Sequence, residues 1–141
     1  MDADASFDGI FDEYALFKLK KKLPKEYVLF PANMWPHKNH ISLLKGFIKA
    51  KRNHPELANL KLVFTGSIER ETNEINSFIT ENNLRKDVLY LGYIPQAEMK
   101  YVFSCASMLA FPSKFEGFGI PLVEAMASGI PIICSRSSCL P

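Results

Sequence analysis

Short apolar runs alternate along this chain with longer segments whose apolar residues recur at helical spacing. Apolar runs bounded by turn residues are typical of buried strands, and the helical spacing is typical of amphipathic helices. The pattern predicts strands over 27–30, 60–65, 88–91, 107–111 and 131–134, and helices over 40–53, 70–83, 95–106 and 121–128. Apolar strands that alternate with helices form a parallel sheet covered on both faces, so we expect a doubly wound α/β fold.

Residues 1–24 precede the regular pattern and are interpreted as a leader or linker with a candidate helix over 13–23. In this helix, Tyr14 and Phe17 are expected to face inward. The domain itself is expected over 25–141. The same region holds a basic run formed by Lys18, Lys20, Lys21, Lys22 and Lys25. This run fits either a solvated helix face or a contact with a membrane surface, and both interpretations remain open.

Length and composition indicate one globular domain. A chain of 141 residues can bury a sizeable core, and its formal net charge of +2 is too small to indicate nucleic acid binding. The longest apolar runs are too short to span a membrane. The three cysteines are odd in number and lack metal-ligand spacing, which favours a reduced, cytoplasmic compartment. With a membrane contact, the location would be the cytoplasmic face.

Ligands of doubly wound sheets bind beyond the carboxyl ends of the strands, so the loops after strands carry the informative residues. These loops are predicted over 31–39, 66–70, 92–95 and 112–119. The chain has no GxGxxG after its first strand and no GxxxxGK[ST], which argues against a dinucleotide site and a P-loop. The histidines lack further metal ligands at a suitable spacing, so no metal is expected.

The segment FEGFGIPLVEAMASG, residues 115–129, is a loop that runs into the N-terminus of a helix. Pro121 suits the first helical position, and Gly129 can end the helix in the left-handed conformation. The helix is expected to be mostly buried, including Val123 and Met126. Its first amides form an anion site for which phosphate is the usual ligand. These amides belong to Gly119 and Ile120.

Two carboxylates, Glu116 and Glu124, flank this anion site at a separation of seven residues. A carboxylate repels a nearby phosphate, so each is expected to meet a hydroxyl-bearing group attached to that phosphate. Lys38 follows the first strand and can bring an ammonium group to the same phosphate, although a surface lysine is the alternative. Asn33 lies in the same loop, and His37 is a further candidate contact to phosphate or hydroxyl.

The stretch FEGFGIPLVEAMASGIPII resembles the Glu-x7-Glu signature of retaining glycosyltransferases with two Rossmann-like domains, the GT-B fold, and most closely family 4. The loops at 30–39, 62–66 and 88–95 resemble the family's other strand–loop units in the same order. The resemblance implies the donor-binding, C-terminal domain of such an enzyme. It further implies transfer of a sugar, of hexosyl or mannosyl type, from a UDP-, GDP- or ADP-linked donor to a hydroxyl of a glycan or lipid-linked acceptor, as in polysaccharide biosynthesis.

The resemblance also implies roles for individual residues. Lys38 would hold the donor diphosphate, Glu116 would meet hydroxyls of the transferred sugar, and Glu124 would bind the ribose hydroxyls. Many members have Arg where Asn33 stands, and His37 is expected to compensate. The resemblance places further donor contacts at Gly117, Phe118, Gly119 and Ile120 through backbone amides, and at Tyr93 and Ile94 near the base. No metal or other cofactor is implied, because Lys38 and the helix-start amides would neutralise the leaving diphosphate.

The segment 135–141 would normally lead to another helix and strand, so the domain is expected to be incomplete at its C-terminus. The resemblance places acceptor contacts in an N-terminal domain outside this chain, and the chain alone is expected to be inactive. Two alternatives remain open. One is a non-catalytic module that binds a nucleotide sugar or a protein partner, and the other is an enzyme of the same architecture that isomerises a nucleotide sugar.

Overall fold

The computed structural model describes residues 13–34, 38–67, 72–113 and 119–136. Strands and helices alternate over most of these residues, which confirms the predicted α/β class. In chain order the elements are α1 (Glu13–Lys22), β1 (Tyr27–Pro31), α2 (His40–Asn53), a 3₁₀ turn (Pro55–Leu57), β2 (Lys61–Thr65), α3 (Thr72–Glu81), β3 (Val88–Gly92), α4 (Gln96–Cys105), β4 (Met108–Phe111), α5 (Ile120–Ser128) and β5 (Ile132–Cys134).

The five strands form one parallel sheet in the order β3-β2-β1-β4-β5. The first strand, β1, lies at the centre of the sheet. The strands β2 and β3 follow on one side of it, and β4 and β5 lie on the other side. The order therefore reverses between β1 and β4. In doubly wound sheets, this reversal opens a crevice at the carboxyl ends of the strands, where ligands bind.

The central strands are buried because helices cover both faces of the sheet. Phe30 of β1 contacts Phe64 of β2 and Phe111 of β4 edge-on, with ring centroids 6.1 and 6.3 Å apart. The start of β1 is fixed to α4, since the Tyr27 hydroxyl donates a hydrogen bond to the Val102 carbonyl at 2.5 Å. The edge strand β3 is only half-buried along its whole length.

The predicted burial of α1 was wrong for its two aromatic residues. Tyr14 is 67% exposed and Phe17 is 54% exposed, whereas Leu19 is buried. The helix contacts the core through Leu19 and the partly buried Leu16. The rings of Tyr14 and Phe17 lie instead under lysines of their own helix. The Nζ atoms of Lys18 and Lys21 are each 4.5 Å from the respective ring centroids. Such cation–ring contacts are stable at an exposed surface.

The prediction that α5 is mostly buried was also wrong. Leu122 and Ala125 are buried, but Val123 is 56% exposed and Met126 is 67% exposed. Residues three apart face the same side of a helix, so α5 buries one face and leaves the next face open. The predicted end of the helix is confirmed, since Gly129 has φ of 74° and caps α5 in the left-handed conformation.

Candidate functional site

A cavity of about 400 Å³ lies at the carboxyl end of the sheet. Volumes of this size are typical of small-molecule sites. The loops after β1, β2 and β3 meet α4 and the first turns of α5 around it. Its lining consists of Pro31, Ala32, Asn33, Lys38, Thr65, Gly66, Tyr93, Ile94, Gln96, Met99, Phe103, Pro121 and Glu124.

The cavity brings together five of the residues that the sequence singled out: Asn33, Lys38, Tyr93, Ile94 and Glu124. Two further candidates, Gly119 and Ile120, stand at the start of α5 and are not part of the lining. The remaining candidates, His37, Glu116, Gly117 and Phe118, lie outside the described residues. A lysine after the first strand and a glutamate after the fourth thus share one cavity, as the topology of a doubly wound sheet predicts.

Sequence reasoning missed one wall of the cavity, which α4 provides. Gln96, Met99 and Phe103 line it and recur at helical spacing on one face of that helix. The apolar spacing of Met99 and Phe103 indicates only a helix face that packs inward, and such positions beyond the end of a sheet can line a cavity as well as a core. Thr65 and Gly66 also line the cavity; Gly66 begins the loop predicted over 66–70 to carry informative residues, although neither residue was singled out as a site residue.

The loop after β1 is held against the loop after β2. The Ser67 N–H donates to Asn33 Oδ1 at 2.8 Å, and the Met34 N–H donates to the Ser67 carbonyl at 3.3 Å. Gly66 lets the two backbones approach, since a Cβ at this position would lie 2.7 Å from the Ala32 carbonyl oxygen. Its φ of 107° is also a conformation that side chains rarely adopt. Asn33 therefore fixes the shape of the cavity edge.

The start of α5 is the part of the chain at which the sequence predicts an anion site. The Gly119 carbonyl accepts hydrogen bonds from the N–H groups of Leu122 and Val123 at 3.1 and 3.3 Å. The amides that precede these have no acceptor within a helix, and the helix dipole places partial positive charge there. Pro121 removes one such amide in the first turn without loss of a helical hydrogen bond.

Burial changes the ionisation of Glu124 in this cavity. It raises the pKa of the carboxyl, which is half-buried in the second turn of α5. A carboxylate that is partly removed from water gains more from a hydroxyl donor than an exposed one does. With a lysine in the same cavity, the lining offers one cationic group and one strong hydrogen-bond acceptor. This combination suits a ligand that carries both an anion and hydroxyl groups.

An uncharged histidine lies beneath the loop after β1. His40 begins α2 and is 2% exposed, with its ring centroid 4.5 Å from that of Phe30 and 5.1 Å from that of Phe64. Burial lowers the pKa of His40 to about 4, and the neighbouring Lys38 ammonium contributes to the fall. Neither ring nitrogen makes a hydrogen bond of normal geometry within the described part of the chain, although the Ala32 backbone lies close enough to oppose the fall in pKa.

In the described ranges, no cluster of three or more His, Cys, Asp or Glu side chains is arranged to hold a metal ion. None of the helices seen there combines the length and the apolar character needed to cross a bilayer.

Comparison with known proteins identifies the family. The model of the family described as glycosyl transferases group 1 matches residues 12–141. The chain belongs to this family. It is also 30% identical over 117 residues to the O-antigen chain mannosyltransferase B of Escherichia coli, which covers 82% of this chain and 30% of that protein. The chain thus spans about a third of the length of this mannosyltransferase relative.

Solved structures agree with the group 1 assignment at the level of fold. Alr3699/HepE of Anabaena, in complex with UDP and glucose, matches with a TM-score of 0.74 at 19% identity, over 91% of this chain and 35% of that one. The C-terminal domain of a glycosyl transferase group 1 protein (LpcC) from Francisella tularensis also has a TM-score of 0.74, at 20% identity, over 90% of this chain and 66% of that one. The fold is that of GT-B glycosyltransferase domains.

Proposed function

We propose that this chain binds the nucleoside diphosphate of a nucleotide-sugar donor, in the cavity that Lys38 and Glu124 share. Transfer of the sugar to an acceptor hydroxyl, with retention at the anomeric carbon, is proposed for the full-length protein of family 4. The observation that carries the proposal is the convergence of a lysine and a partly buried glutamate beside a helix N-terminus, in a group 1 chain. The mannosyltransferase relative supports a hexose as the transferred sugar.

Each residue has a defined role in this proposal. Lys38 and the first amides of α5 hold the diphosphate and stabilise the negative charge that develops when the bond from sugar to phosphate breaks. Glu124 accepts hydrogen bonds from the ribose hydroxyls, and Tyr93 and Ile94 contact the base. Glu116 is assigned to the hydroxyls of the transferred sugar. The donor needs no metal in this scheme, because Lys38 and the helix dipole supply the positive charge.

Calorimetric titration with UDP, GDP, ADP and inorganic pyrophosphate tests these roles. We expect Lys38→Ala to weaken the binding of both nucleotide and pyrophosphate by about 1.5–3 kcal/mol, the range for a hydrogen bond to a charged group. Glu124→Gln should weaken the binding of the nucleotide but not that of pyrophosphate, which has no ribose. Lys49→Ala, at an exposed position of α2, is the matched control and should change neither affinity.

Four outcomes would contradict the proposal or part of it. Absence of saturable binding by the folded wild-type chain would reject the donor site. An unchanged affinity in Lys38→Ala would remove Lys38 from it. If the full-length protein bound a donor yet transferred no sugar to any acceptor, a non-catalytic module would fit better, and conversion of the donor without an acceptor would indicate an isomerising enzyme.

We also propose that α1 contacts an anionic membrane surface. The exposed rings of Tyr14 and Phe17, each under a lysine of the same helix, combine apolar area with positive charge. Such surfaces bind anionic lipids, and each lysine near the membrane contributes about 1 kcal/mol. Lys18→Glu with Lys21→Glu should abolish co-sedimentation with vesicles that contain phosphatidylglycerol, while Lys45→Glu with Lys49→Glu on α2 should not. An equal loss of vesicle co-sedimentation in the two double variants, or no co-sedimentation of the wild-type chain, would reject this membrane contact.

A further inference from the structure

The residue after Lys38 has an unusual backbone conformation. Asn39 has φ of 67° and ψ of 40°, in the left-handed region. It stands between Lys38 and the first residue of α2, so its conformation sets the direction in which the chain leaves Lys38 and enters the helix. Residues other than glycine rarely adopt this region, and asparagine is one of the few that tolerate it. The position therefore selects for asparagine or glycine.

The Asn39 side chain is not used as a helix cap. An asparagine before a helix commonly accepts a hydrogen bond from an amide of the first turn, but Asn39 makes no such bond. Its Nδ2 instead donates to the Pro112 carbonyl at 3.1 Å, across 73 residues of sequence. Because a carbonyl can only accept, the orientation of the amide group is fixed. The side chain thus ties the loop after β1 to the loop after β4.

The same loop is tied on its other side. Asn33 Oδ1 accepts the Ser67 N–H at 2.8 Å, which joins the loop to the end of β2. Two asparagines of this loop, Asn33 and Asn39, are therefore hydrogen-bonded, one toward each neighbouring strand of β1 in the sheet. Between these two asparagines, Lys38 lines the cavity. Of the two, Asn39 is adjacent to Lys38 and has the more restricted backbone.

We propose that Asn39 is a positioning residue that holds Lys38 toward the diphosphate through its left-handed backbone and its hydrogen bond to Pro112. The inference rests on the proposed function, because it assigns Asn39 an effect on the ligand of Lys38. It predicts that Asn39 acts on binding only while Lys38 is present. A residue that merely stabilised the fold would have no such dependence.

A double-mutant cycle tests this dependence, with inorganic pyrophosphate and the nucleoside diphosphate that binds tightest as probes. Asn39→Ala disfavours the left-handed conformation and removes the hydrogen bond, so we expect at least a tenfold loss of affinity. Asn39→Gly keeps the conformation available and loses only the hydrogen bond, so a loss of about threefold is expected. In a Lys38→Ala background, neither change should weaken binding further. Asn53→Ala, an exposed asparagine of the same helix, is the matched control.

The outcomes separate this inference from the proposed function. If the wild-type chain binds neither probe, the donor site and this inference both fail. If wild type binds and Lys38→Ala weakens binding, but the loss caused by Asn39→Ala persists in the Lys38→Ala background, only the positioning role is overturned. An unchanged affinity in Asn39→Ala would overturn it too. Thermal unfolding of each variant checks that it is folded. If Asn39→Ala does not fold, Asn39→Gly replaces it in the double-mutant cycle with Lys38→Ala.

Discussion

Charged side chains at the amino end of the sheet form a closed group, whereas those at the carboxyl end line an open cavity. At the amino end, Asp87 Oδ1 accepts Lys51 Nζ at 2.9 Å and Lys61 Nζ at 3.2 Å. Lys51 also donates to the Leu60 carbonyl at 3.1 Å. Partial burial would raise the pKa of Asp87, but the hydrogen bonds from the two lysines outweigh burial and lower it.

The carboxyl end retains features that oppose stability. Asn39, Gly66 and Gly92 have positive φ in successive strand-end loops. Burial alone raises the pKa of Glu124, and His40 is buried without charge. Positive φ is not confined to this end, since Asn83 and Gly129 near the amino end have it too. The two ends differ in that the carboxyl end has an open cavity and ionisable groups whose burial is not offset by charged partners, a combination that commonly marks functional sites.

The largest expected effect comes from Gly66. Gly66→Ala should lower the free energy of unfolding by about 3 kcal/mol, because the new Cβ meets the Ala32 backbone and φ is unfavourable. Gly129→Ala is the matched control at the amino end, where φ is 74° but nothing lies within 4 Å of the added Cβ. Gly129→Ala should lower the free energy of unfolding by only about 1 kcal/mol. Urea denaturation measures both, and equal losses would show that close approach at the cavity edge is unimportant.

A smaller effect, which depends on pH, is expected at His40. Histidine in the unfolded chain has a pKa of about 6.5. Because the folded pKa is about 4, the unfolded state takes up the proton first as pH falls. Stability is therefore fully present above pH 6.5 and is lost toward pH 4, with a loss of about 2 kcal/mol between pH 7 and pH 5.

His40→Phe should remove this part of the pH dependence, since phenylalanine does not titrate and a ring can still contact Phe30 and Phe64. His54→Phe is the control, because His54 is exposed at the end of α2. Urea denaturation at a series of pH values provides the comparison. A slope between pH 7 and pH 5 that is the same in wild type and His40→Phe would contradict the account of His40.

Local patterns were sufficient to predict the order of the elements and the shared cavity. Helical spacing and apolar runs are properties of short segments. The rule that ligands bind beyond the carboxyl ends of parallel strands then brings Lys38 and Glu124 together without knowledge of any contact. The same patterns could not predict the exposure of Tyr14 and Met126. The apolar pattern of a helix indicates which face can pack, but the fraction of that face that becomes buried depends on the neighbouring elements.

Features that depend on distant partners were beyond the sequence. The left-handed backbone of Asn39 is coupled to Pro112, which is 73 residues away, so neither residue alone predicts the hydrogen bond. Histidine is also ambiguous, because its size suits a core and its nitrogens suit a surface. The burial of His40 between two phenylalanines follows only from the parallel register that places Phe30 opposite Phe64.

Backbone NMR of the uniformly ¹⁵N-labelled chain, titrated with UDP, GDP and ADP, tests the central claim most directly. At least one nucleotide should cause saturable shifts in the amides around Asn33, Lys38, Gly66 and Glu124, while those of Lys51, Lys61 and Asp87 stay unchanged. Absence of saturable shifts with all three nucleotides in the folded chain, or largest shifts at the amino end of the sheet, would contradict the assignment of the carboxyl-end cavity as the donor site.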